Sequence, residues 1–516
     1  MGGGLRVLVA YGSQNVLLSG NPQMTYFYKA FKRYSHFSME SITVPLDGPN
    51  ELSFDQPIQL RAKIPRQADL LSDMIFTFTI PDIYSKYITP NPPNGRICQS
   101  EFQWVRYLGA AIIQNASFSI GGQKIQEFDG VYLLSRALLD LDQDTFLKWK
   151  QLVGDVPDLV EPALGQYAGG ISHTGYPTVI SDTTRTTQLN RPSIFGRNIH
   201  IPLSFWFTES PSQALPLIGL QYHECEIKLT LNPISQLYTI LDASGYQVNP
   251  DFKMNATLNQ INTNRPNYSS VTNTDAQIRN FFTDINTSVP ALNSWFINPV
   301  LQCTYIYLPK EEQQIFATRP LSYMIPQVTM FPFPGQYTRQ ILQLQVHNPI
   351  TRLIFIQRRS DAAYRNDFAN FTNWYTYPYA PFSPTPNAPN SLQQGSSSGT
   401  FILNAQQDII RSLRILCDGN EIQEIKSVDY FTRISTYRYT KGIGQDGLSL
   451  YSFQLNQSPT QASGSINSSR IKSFEVDIDV YPLPVETTYT YDINVYAENI
   501  NWLEIVSGMG GVKYAL

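Results

Sequence analysis

The sequence has few charged residues, few cysteines and no long apolar run. Charged residues make up 15% of the 516 residues, against about 25% in a typical soluble protein, so much of the surface is polar without charge. A low surface charge indicates that part of the surface meets protein neighbours. The four cysteines lack C-x-x-C pairs and framework spacing, which excludes a disulfide scaffold and favours a reducing compartment. They are Cys98, Cys225, Cys303 and Cys417.

Targeting signals and a nucleic-acid footprint are also missing. The run at 5–10 is too short for a secretory signal, and no stretch of 18 or more apolar residues predicts a membrane-spanning helix. The net charge is −4 and no window gathers Lys and Arg into a stripe, so we expect no direct nucleic-acid partner. One basic cluster, Lys29, Lys32 and Arg33, lies among aromatic residues. An amphipathic segment between subunits explains this cluster better than a nucleic-acid site.

No group of residues predicts catalysis, a cofactor or a metal site. His223, Glu224 and Glu226 are the only local trio of possible ligands, and an exposed strand face explains them better. Asp477 and Asp479 resemble a metal-binding D-x-D, but they lie inside a strict alternation. Walker loops, dinucleotide fingerprints and serine nucleophile elbows are absent from the sequence. We therefore expect a protein that is not an enzyme.

The sequence does contain many segments in which apolar and polar residues alternate. Such a period of two predicts strands with one face on a core. The clearest are 76–80, 342–346, 474–480 and 489–495. Helical spacing is rare: 131–153 is the best candidate, with Asp129 as its N-cap, and short turns are predicted at 211–215 and 310–318. The pattern predicts an all-β fold with short helical insertions.

One segment occurs twice, 297 positions apart. Both copies read Gly-x-x-Ile-Gln-Glu, and each has a Gly-Gly or Asp-Gly pair between two alternating runs, which is typical of a tight hairpin turn with positive φ. The turn residues are Gly121, Gly122, Asp418 and Gly419. The shared motif is Ile125, Gln126 and Glu127 in the first copy, and Ile422, Gln423 and Glu424 in the second.

The surroundings of the two copies also match. In each half an alternating strand, ending near Ile80 or Arg358, runs into a Pro-rich loop that leads back to the repeated hairpin. The second loop, with 376–400 at its centre, is about 20 residues longer and is expected to protrude into solvent. The sequence thus predicts two tandem antiparallel β-sandwiches. The predicted division is an N-terminal arm (1–24), a first sandwich (25–235), a linker with an insert (236–290) and a second sandwich (291–516).

Several stretches, in order along the chain, resemble the double jelly-roll major capsid proteins of nucleocytoplasmic large DNA viruses. The segment at 10–42 resembles the opening of that family, and 201–231 resembles the close of its first jelly roll. The segment at 305–317, with Asn348-Pro349, resembles the start of the second, and Ser507-Gly508-Met509-Gly510-Gly511 resembles the C-terminal signature. The long insert and the long second loop depart from the family pattern.

The resemblance implies a homotrimer whose six jelly rolls form a pseudo-hexagonal capsomer that tiles an icosahedral shell. It also implies neighbouring capsomers and minor capsid proteins beneath the shell as partners, an internal viral membrane nearby, and a place in the virion after assembly in the host cytoplasm. Two alternatives stay open: a minor capsomer paralogue of the same family, or a carbohydrate-binding β-sandwich protein.

Overall fold

The computed structural model describes residues 3–9, 12–29, 31–85, 87–88, 98–99, 101–162, 192–241, 247–248, 250, 277–283, 290–374, 406–457, 460–483 and 489–514. Within these ranges the long strands form two sandwiches of eight strands each, and every paired strand is antiparallel to its neighbour. The predicted fold class, two tandem jelly rolls with short helical insertions, is confirmed. The long second loop lies outside the described residues, as does most of the predicted insert.

The first sandwich places two sheets face to face, each with four long strands. One sheet has the strand order β1-β8-β3-β6 and the other has β2-β7-β4-β5, which is the order of a jelly roll. The strands are β1 (Ser38–Pro45), β2 (Ile58–Lys63), β3 (Leu70–Ile80), β4 (Ile113–Ile120), β5 (Gln123–Phe128), β6 (Arg197–Pro202), β7 (Cys225–Leu231) and β8 (Val300–Tyr307).

The second sandwich repeats this order strand for strand. Its sheets run β9-β16-β11-β14 and β10-β15-β12-β13, so each strand corresponds to the strand numbered eight lower. The strands are β9 (Leu321–Gln336), β10 (Gln340–Gln343), β11 (Pro349–Arg359), β12 (Ile410–Cys417), β13 (Asn420–Ser427), β14 (Leu448–Ser452), β15 (Phe474–Val480) and β16 (Tyr491–Val506). A final strand, β17 (Met509–Val512), pairs with β16.

The predicted boundary at residue 291 differs from the strand pairing. Strand β8 was expected in the second jelly roll, but it pairs with β1 and β3 and completes the first one. The short strand Ser294–Phe296 likewise pairs with Glu51–Ser53. A jelly roll needs its last strand between its first and third, so the chain must return to the first sandwich after the insert. The first sandwich therefore ends at Tyr307.

Short helices follow several of the strands. The predicted helix at 131–153 is two helices, α1 (Gly130–Asp140) and α2 (Gln143–Leu152), and the Asp129 carboxylate caps α1 by accepting from the Tyr132 amide at 2.7 Å. The segment at 310–318 is α3 (Lys310–Thr318), and Pro211–Gln213 is a 3₁₀ turn. A π-helical turn, Tyr430–Ile434, leads into α4 (Ser435–Tyr439).

The remaining elements are short. The other α-helical turns are Gly3–Val9, Val16–Ser19, Leu108–Ala111 and Pro157–Val160. The other 3₁₀ turns are Ser13–Asn15, Trp206–Thr208, Leu217–Gly219, Ile234–Gln236, Ile278–Phe281, Ala362–Arg365 and Ser468–Arg470. The other strands are Tyr87–Ile88, Cys98–Gln99, Glu101–Trp104, Leu215–Pro216, Tyr238–Leu241, Gln247–Val248, Asn373–Trp374, Gln406–Gln407 and Ile466–Asn467. Among the described residues, no helix is long and apolar enough to span a bilayer.

The apolar core does not stop at the edge of the first sandwich. One continuous cluster fills the first sandwich and includes Ile354, Ile356 and Tyr496 from the outer face of the second. The interior of the second sandwich, with Phe355 and Val495, forms a separate cluster. The second sandwich thus buries both faces of one of its sheets, and the two sandwiches share a contact built like a protein interior.

Candidate assembly interface

The two repeated turns have the same backbone shape. Gly121 and Gly122 have φ of 57° and 84°, and Asp418 and Gly419 have φ of 51° and 78°. Each pair joins two strands directly, since Ile120 pairs with Gln123 and Cys417 with Asn420. Two consecutive residues at positive φ are the geometry of a type I′ hairpin, whose twist matches that of the strands.

The repeated motif has different surroundings in its two copies. In the first copy Ile125 and Gln126 are buried, and the Gln126 side-chain oxygen accepts from the Trp206 amide at 2.9 Å. Strand β9 covers this hairpin, and Gln327 Nε2 donates to the Ile125 carbonyl at 2.7 Å. In the second copy Ile422 is 38% exposed. Identical residues therefore lie in a contact in the first sandwich and on a free surface in the second.

The other three motif residues make polar contacts. Glu127 accepts from Asn115 and from Lys124, and Gln423 donates to the Glu424 carbonyl at 3.1 Å. Glu424 is exposed and paired with Lys426.

Helix α1 joins the sandwiches through a buried group of charged residues. The Arg352 guanidinium, 1% exposed, donates to Asp140 Oδ1 at 2.7 Å and to Glu498 Oε2 at 2.6 Å. Asp140 ends α1, whereas Arg352 and Glu498 are paired neighbours on β11 and β16. The Tyr132 hydroxyl donates to Glu498 Oε1 at 2.6 Å. Removing one partner would leave an uncompensated buried charge, so this group fixes α1 on the second sandwich.

The charges of this group depend on one another. Burial on its own would raise the pKa of the Asp140 carboxyl, but the positive charges of Arg352 and Arg136 outweigh burial and hold that pKa below its usual value. Burial and the Glu498 carboxylate raise the pKa of the Tyr132 hydroxyl well above its usual value, so this hydroxyl stays a donor. Near neutral pH the Asp140 carboxyl is therefore ionised, and the Tyr132 hydroxyl keeps the proton that it donates.

Backbone groups of the second sandwich also cap the C-terminal end of α1. The amides of Gly442 and Gly444 donate to the carbonyls of Leu139 and Leu138 at 2.8 and 3.0 Å. These carbonyls lie in the last turn of the helix and have no partner within it. A Cβ atom at Gly442 would lie 2.1 Å from the Leu138 oxygen, so only glycine allows the approach.

The C-terminal signature forms a third part of the contact. Ser507 and Gly508 have φ of 52° and 80° and turn β16 into β17. The Tyr222 amide donates to the Gly508 carbonyl at 3.0 Å. Cβ atoms at Gly508 and Gly510 would lie 2.6 Å from the Tyr222 ring and 2.7 Å from Leu220 Cδ2. The glycines of this signature let β17 lie directly against the first sandwich.

The residues considered as metal ligands are engaged in ion pairs and backbone contacts. Glu224 pairs with Lys63 at 2.8 Å, and His223 Nδ1 lies 2.9 Å from the Gly510 carbonyl in the same contact. Asp477 is 3% exposed, and its carboxylate accepts hydrogen bonds from Arg339 and Arg414. The hydrogen bond from Arg339 is the main reason why the pKa of Asp477 lies below its usual value. Among the described residues, no three His, Cys, Asp or Glu side chains form a group that could hold a metal.

The segment at 25–37, which precedes β1, lies outside the sandwiches, and its aromatic residues are exposed. Tyr26 is 92% exposed, Phe27 100% and Phe31 84%. The Lys29 ammonium lies 5.9 Å from the centre of the Phe31 ring. No described residue of the chain covers these aromatic rings, which fits the interpretation of the basic and aromatic cluster as a segment between subunits.

Sequence reasoning missed the residues that join the sandwiches. Arg352, Asp140 and Glu498 are far apart in sequence, and none belongs to a motif. One signal was present: β11 contains the continuous apolar run Leu353 to Ile356 where a half-exposed strand would alternate. A continuous run is typical of a strand that is covered on both faces.

Comparison with known proteins matches both halves of the chain to viral shell proteins. A family model described as the major capsid protein N-terminus matches residues 25–268. A second, for the large eukaryotic DNA virus major capsid protein, matches residues 312–511. The chain is 25% identical over 543 residues to a major capsid protein of Paramecium bursaria Chlorella virus 1, with all of both chains covered. It is 24% identical over 581 residues to that of Phaeocystis pouchetii virus, again over both full lengths.

Solved structures agree on the fold. A chain in a quasi-atomic model of the PBCV-1 virus capsid superposes with a TM-score of 0.64 at 21% identity, covering 95% of this chain and 100% of that one. The Faustovirus major capsid protein gives a TM-score of 0.63 at 12% identity, with 97% and 96% covered. With two tandem jelly rolls joined by a buried contact and both halves matched in order, the chain belongs to the major capsid proteins of large eukaryotic DNA viruses.

Proposed function

We propose that three copies of the chain form a homotrimeric capsomer with a pseudo-hexagonal outline, and that these capsomers tile the icosahedral shell of a large DNA virus. The observation that carries the proposal is the buried contact that holds two jelly rolls together as one unit. Two similar sandwiches in each chain give six in a trimer. A trimer that contains six similar sandwiches can occupy a site of local sixfold symmetry in a closed shell.

The rigidity of the contact supports this role. The shared apolar cluster, the Arg352 group and the capped end of α1 hold the sandwiches at one angle. A capsomer must keep its shape when it contacts its neighbours. Two domains joined only by a flexible linker would not keep a fixed shape. The proposed role is structural, without an enzymatic activity or a cofactor.

The proposal includes a location and partners. The chain belongs in the virion after assembly in the host cytoplasm, in contact with other capsomers and with minor capsid proteins beneath the shell. An internal viral membrane lies nearby. The net charge of −4 supports a role without direct contact to nucleic acid.

Size-exclusion chromatography with multi-angle light scattering tests the proposal. The purified chain should elute with three times the mass of one chain, and electron microscopy of the same fraction should show particles with a near-hexagonal outline. A chain that stays monomeric over a wide concentration range would contradict the proposed capsomer.

A further inference from the structure

The residues ahead of β1 differ in charge from the rest of the chain. Residues 1–39 contain no Asp or Glu, and their four basic residues, Arg6, Lys29, Lys32 and Arg33, give them a formal charge of +4. The whole chain has a net charge of −4, so the residues after position 39 carry −8. The two parts of the chain thus have opposite charge, and the basic part favours an anionic partner.

The same residues are exposed along their whole described length. In the described ranges 3–8, 12–29 and 31–37 every residue is exposed, and this includes apolar side chains such as Leu17, 96% exposed, and Leu18, 90%. An exposed apolar stretch of this size marks a contact with a partner. Six aromatic residues lie within 25–37: Tyr26, Phe27, Tyr28, Phe31, Tyr34 and Phe37.

The exposed apolar side chains are consecutive where a protein groove would require a period. Tyr26, Phe27 and Tyr28 follow one another at 92%, 100% and 74% exposure. A strand or helix that lies in a groove buries one face, and its apolar residues recur with a period of two or about 3.6. Consecutive residues point to different sides, so a groove would leave some of these rings in water. The head-group region of a bilayer can surround a segment on several sides.

Tyrosine and basic side chains suit the boundary between lipid tails and head groups. A tyrosine has an apolar ring and a polar hydroxyl, and it is enriched at this boundary in membrane proteins. Lys and Arg can bury their stems and still reach the lipid phosphates. The Lys29 ammonium and the Phe31 ring lie side by side, with 5.9 Å between the ammonium and the ring centre. The segment therefore combines both features.

Nucleic acid is another anionic partner that binds aromatic rings. Its binding sites follow the phosphate backbone with a row of basic side chains. Only three basic residues lie close together here, Lys29, Lys32 and Arg33. Leu17 and Leu18 would stay exposed on a nucleic acid, whereas a bilayer would cover them as well as the rings. The bilayer therefore accounts for more of the exposed side chains.

The segment leaves the first sandwich at one of its two ends. Ser38, the first residue of β1, pairs with Tyr307, the last residue of β8, beside Leu70 at the start of β3. Strand β3 runs from there to Ile80, which pairs with Arg197 at the opposite end. A flat bilayer can contact only one end of the sandwich. The segment can lie on it while the end with Ile80 faces away.

We propose that residues 25–37 bind the surface of an anionic lipid bilayer, with their aromatic rings at the level of the head groups and Lys29, Lys32 and Arg33 beside the lipid phosphates. This inference rests on the proposed shell with an internal viral membrane nearby, and it names the segment and the lipid chemistry of that contact. A trimer carries three such segments, so a weak contact for each segment becomes a strong one for the capsomer.

Sedimentation with lipid vesicles tests the role of the charge. The purified wild-type chain should sediment with vesicles of three parts phosphatidylcholine and one part phosphatidylserine, and much less with phosphatidylcholine alone. The triple variant Lys29→Gln, Lys32→Gln and Arg33→Gln should bind the anionic vesicles about 100-fold more weakly, because each basic residue near an anionic surface contributes about a factor of 5. High salt should weaken the binding of the wild type as well.

The matched control removes the same charge elsewhere. Lys441, Arg470 and Lys472 are exposed on the second sandwich. The triple variant Lys441→Gln, Arg470→Gln and Lys472→Gln should bind the anionic vesicles as the wild type does, and circular dichroism should show that both triple variants are folded. Equal loss of binding in the two variants would mean that only the net charge matters, which overturns the proposed site.

A photo-crosslinker at position 27 identifies what covers the segment. The variant Phe27→p-benzoylphenylalanine, irradiated with the anionic vesicles, should give peptides that carry the added mass of a lipid. The same amino acid at Leu455, which is 71% exposed on the second sandwich, is the control and should give no lipid adduct. Crosslinks from position 27 to peptides of another copy in place of lipid would place the segment between subunits. Tighter binding to single-stranded DNA than to anionic vesicles at equal phosphate would also contradict the bilayer.

Light scattering without vesicles separates this inference from the proposed capsomer. A wild-type trimer that does not bind anionic vesicles refutes the bilayer contact and leaves the capsomer proposal standing. A wild-type monomer that binds them refutes the capsomer and leaves the bilayer contact standing. A folded but monomeric variant with Lys29, Lys32 and Arg33 replaced would assign these residues to a contact between subunits, against the bilayer.

Discussion

Two residues at equivalent turn positions reach the same backbone shape by different means. At the first turn, a Cβ on Gly121 would lie 2.7 Å from the His223 ring, so the packing of this ring on the turn requires glycine. At the second turn Asp418 also has positive φ, and its Oδ1 accepts from the amides of Lys472 and Ser473 at 2.8 and 2.9 Å. Those bonds offset the strain of positive φ in a residue with a side chain.

The neighbouring glycine gives a clean test of the turn geometry. Gly122 has φ of 84° and no atom within 4 Å of the place its Cβ would take. Gly122→Val should therefore destabilise the protein through backbone strain alone, by about 1 to 2 kcal/mol, measured as a lower melting temperature. The control Gly122→Asn should change stability much less, because Asn tolerates positive φ. Equal melting temperatures for the valine variant and the wild type would refute this geometry.

Residue identity alone could not predict which copy of the motif is buried. Gln126 and Gln423 share a local sequence, yet Gln126 is buried and Gln423 is only half-covered. The difference comes from β9, which covers the first hairpin and is far away in sequence. Turn chemistry is local and could be predicted, whereas burial depends on distant neighbours.

Strands and helices were predictable where the period of the apolar residues was regular. The alternation at 76–80 and 474–480 corresponds to β3 and β15, and Asp129 caps α1 as expected. Strand β8 also alternates, with Leu301, Cys303 and Tyr305 buried, but alternation does not reveal which sheet a strand joins. Its return across the insert to the first sandwich is a property of the topology, so the predicted boundary was wrong.

The buried ion pairs of Arg352 with Asp140 and Glu498 should determine how firmly α1 is held on the second sandwich. Arg352→Met removes the only guanidinium that binds both Asp140 and Glu498 among the described residues, leaving two buried carboxylates short of a partner. Loss of one partner of a buried ion pair costs about 3 to 5 kcal/mol. We expect a large drop in melting temperature, with faster hydrogen exchange in α1.

An exposed ion pair is the matched control for that variant. Lys513 binds Glu504 at 2.6 Å on the surface, so Lys513→Met should change stability little. If the two methionine variants had the same melting temperature, the buried group would not be what holds α1 on the second sandwich.

The whole molecule should lose stability in acid because its buried carboxylates are paired. Arginine partners hold the pKa values of Asp477 and Asp140 below the usual 3.8. A carboxyl whose folded pKa is lowered contributes stability above its unfolded pKa, and this contribution is lost as pH falls through the folded value. Asp129 acts in the opposite sense, since burial raises its pKa.

The variant Asp477→Asn isolates one of these contributions. At pH 7 it should melt below the wild type, because Arg339 and Arg414 lose a charged partner. As pH falls from 5 towards 2.5 the wild-type carboxyl is protonated as well, so the difference in melting temperature should shrink. A difference that stays constant over this pH range would show that the charge of Asp477 does not stabilise the fold.

In the proposed capsomer, the buried contact between the sandwiches also affects how fast a closed ring of six sandwiches can form. Half of its contacts form during folding of single chains, at an effective concentration that does not depend on how much protein is present. Only three molecules have to meet, so the rate depends on a lower power of protein concentration than it would for six separate sandwiches. Fewer kinds of incomplete ring can form, because an incomplete ring always lacks whole chains and each chain carries two sandwiches.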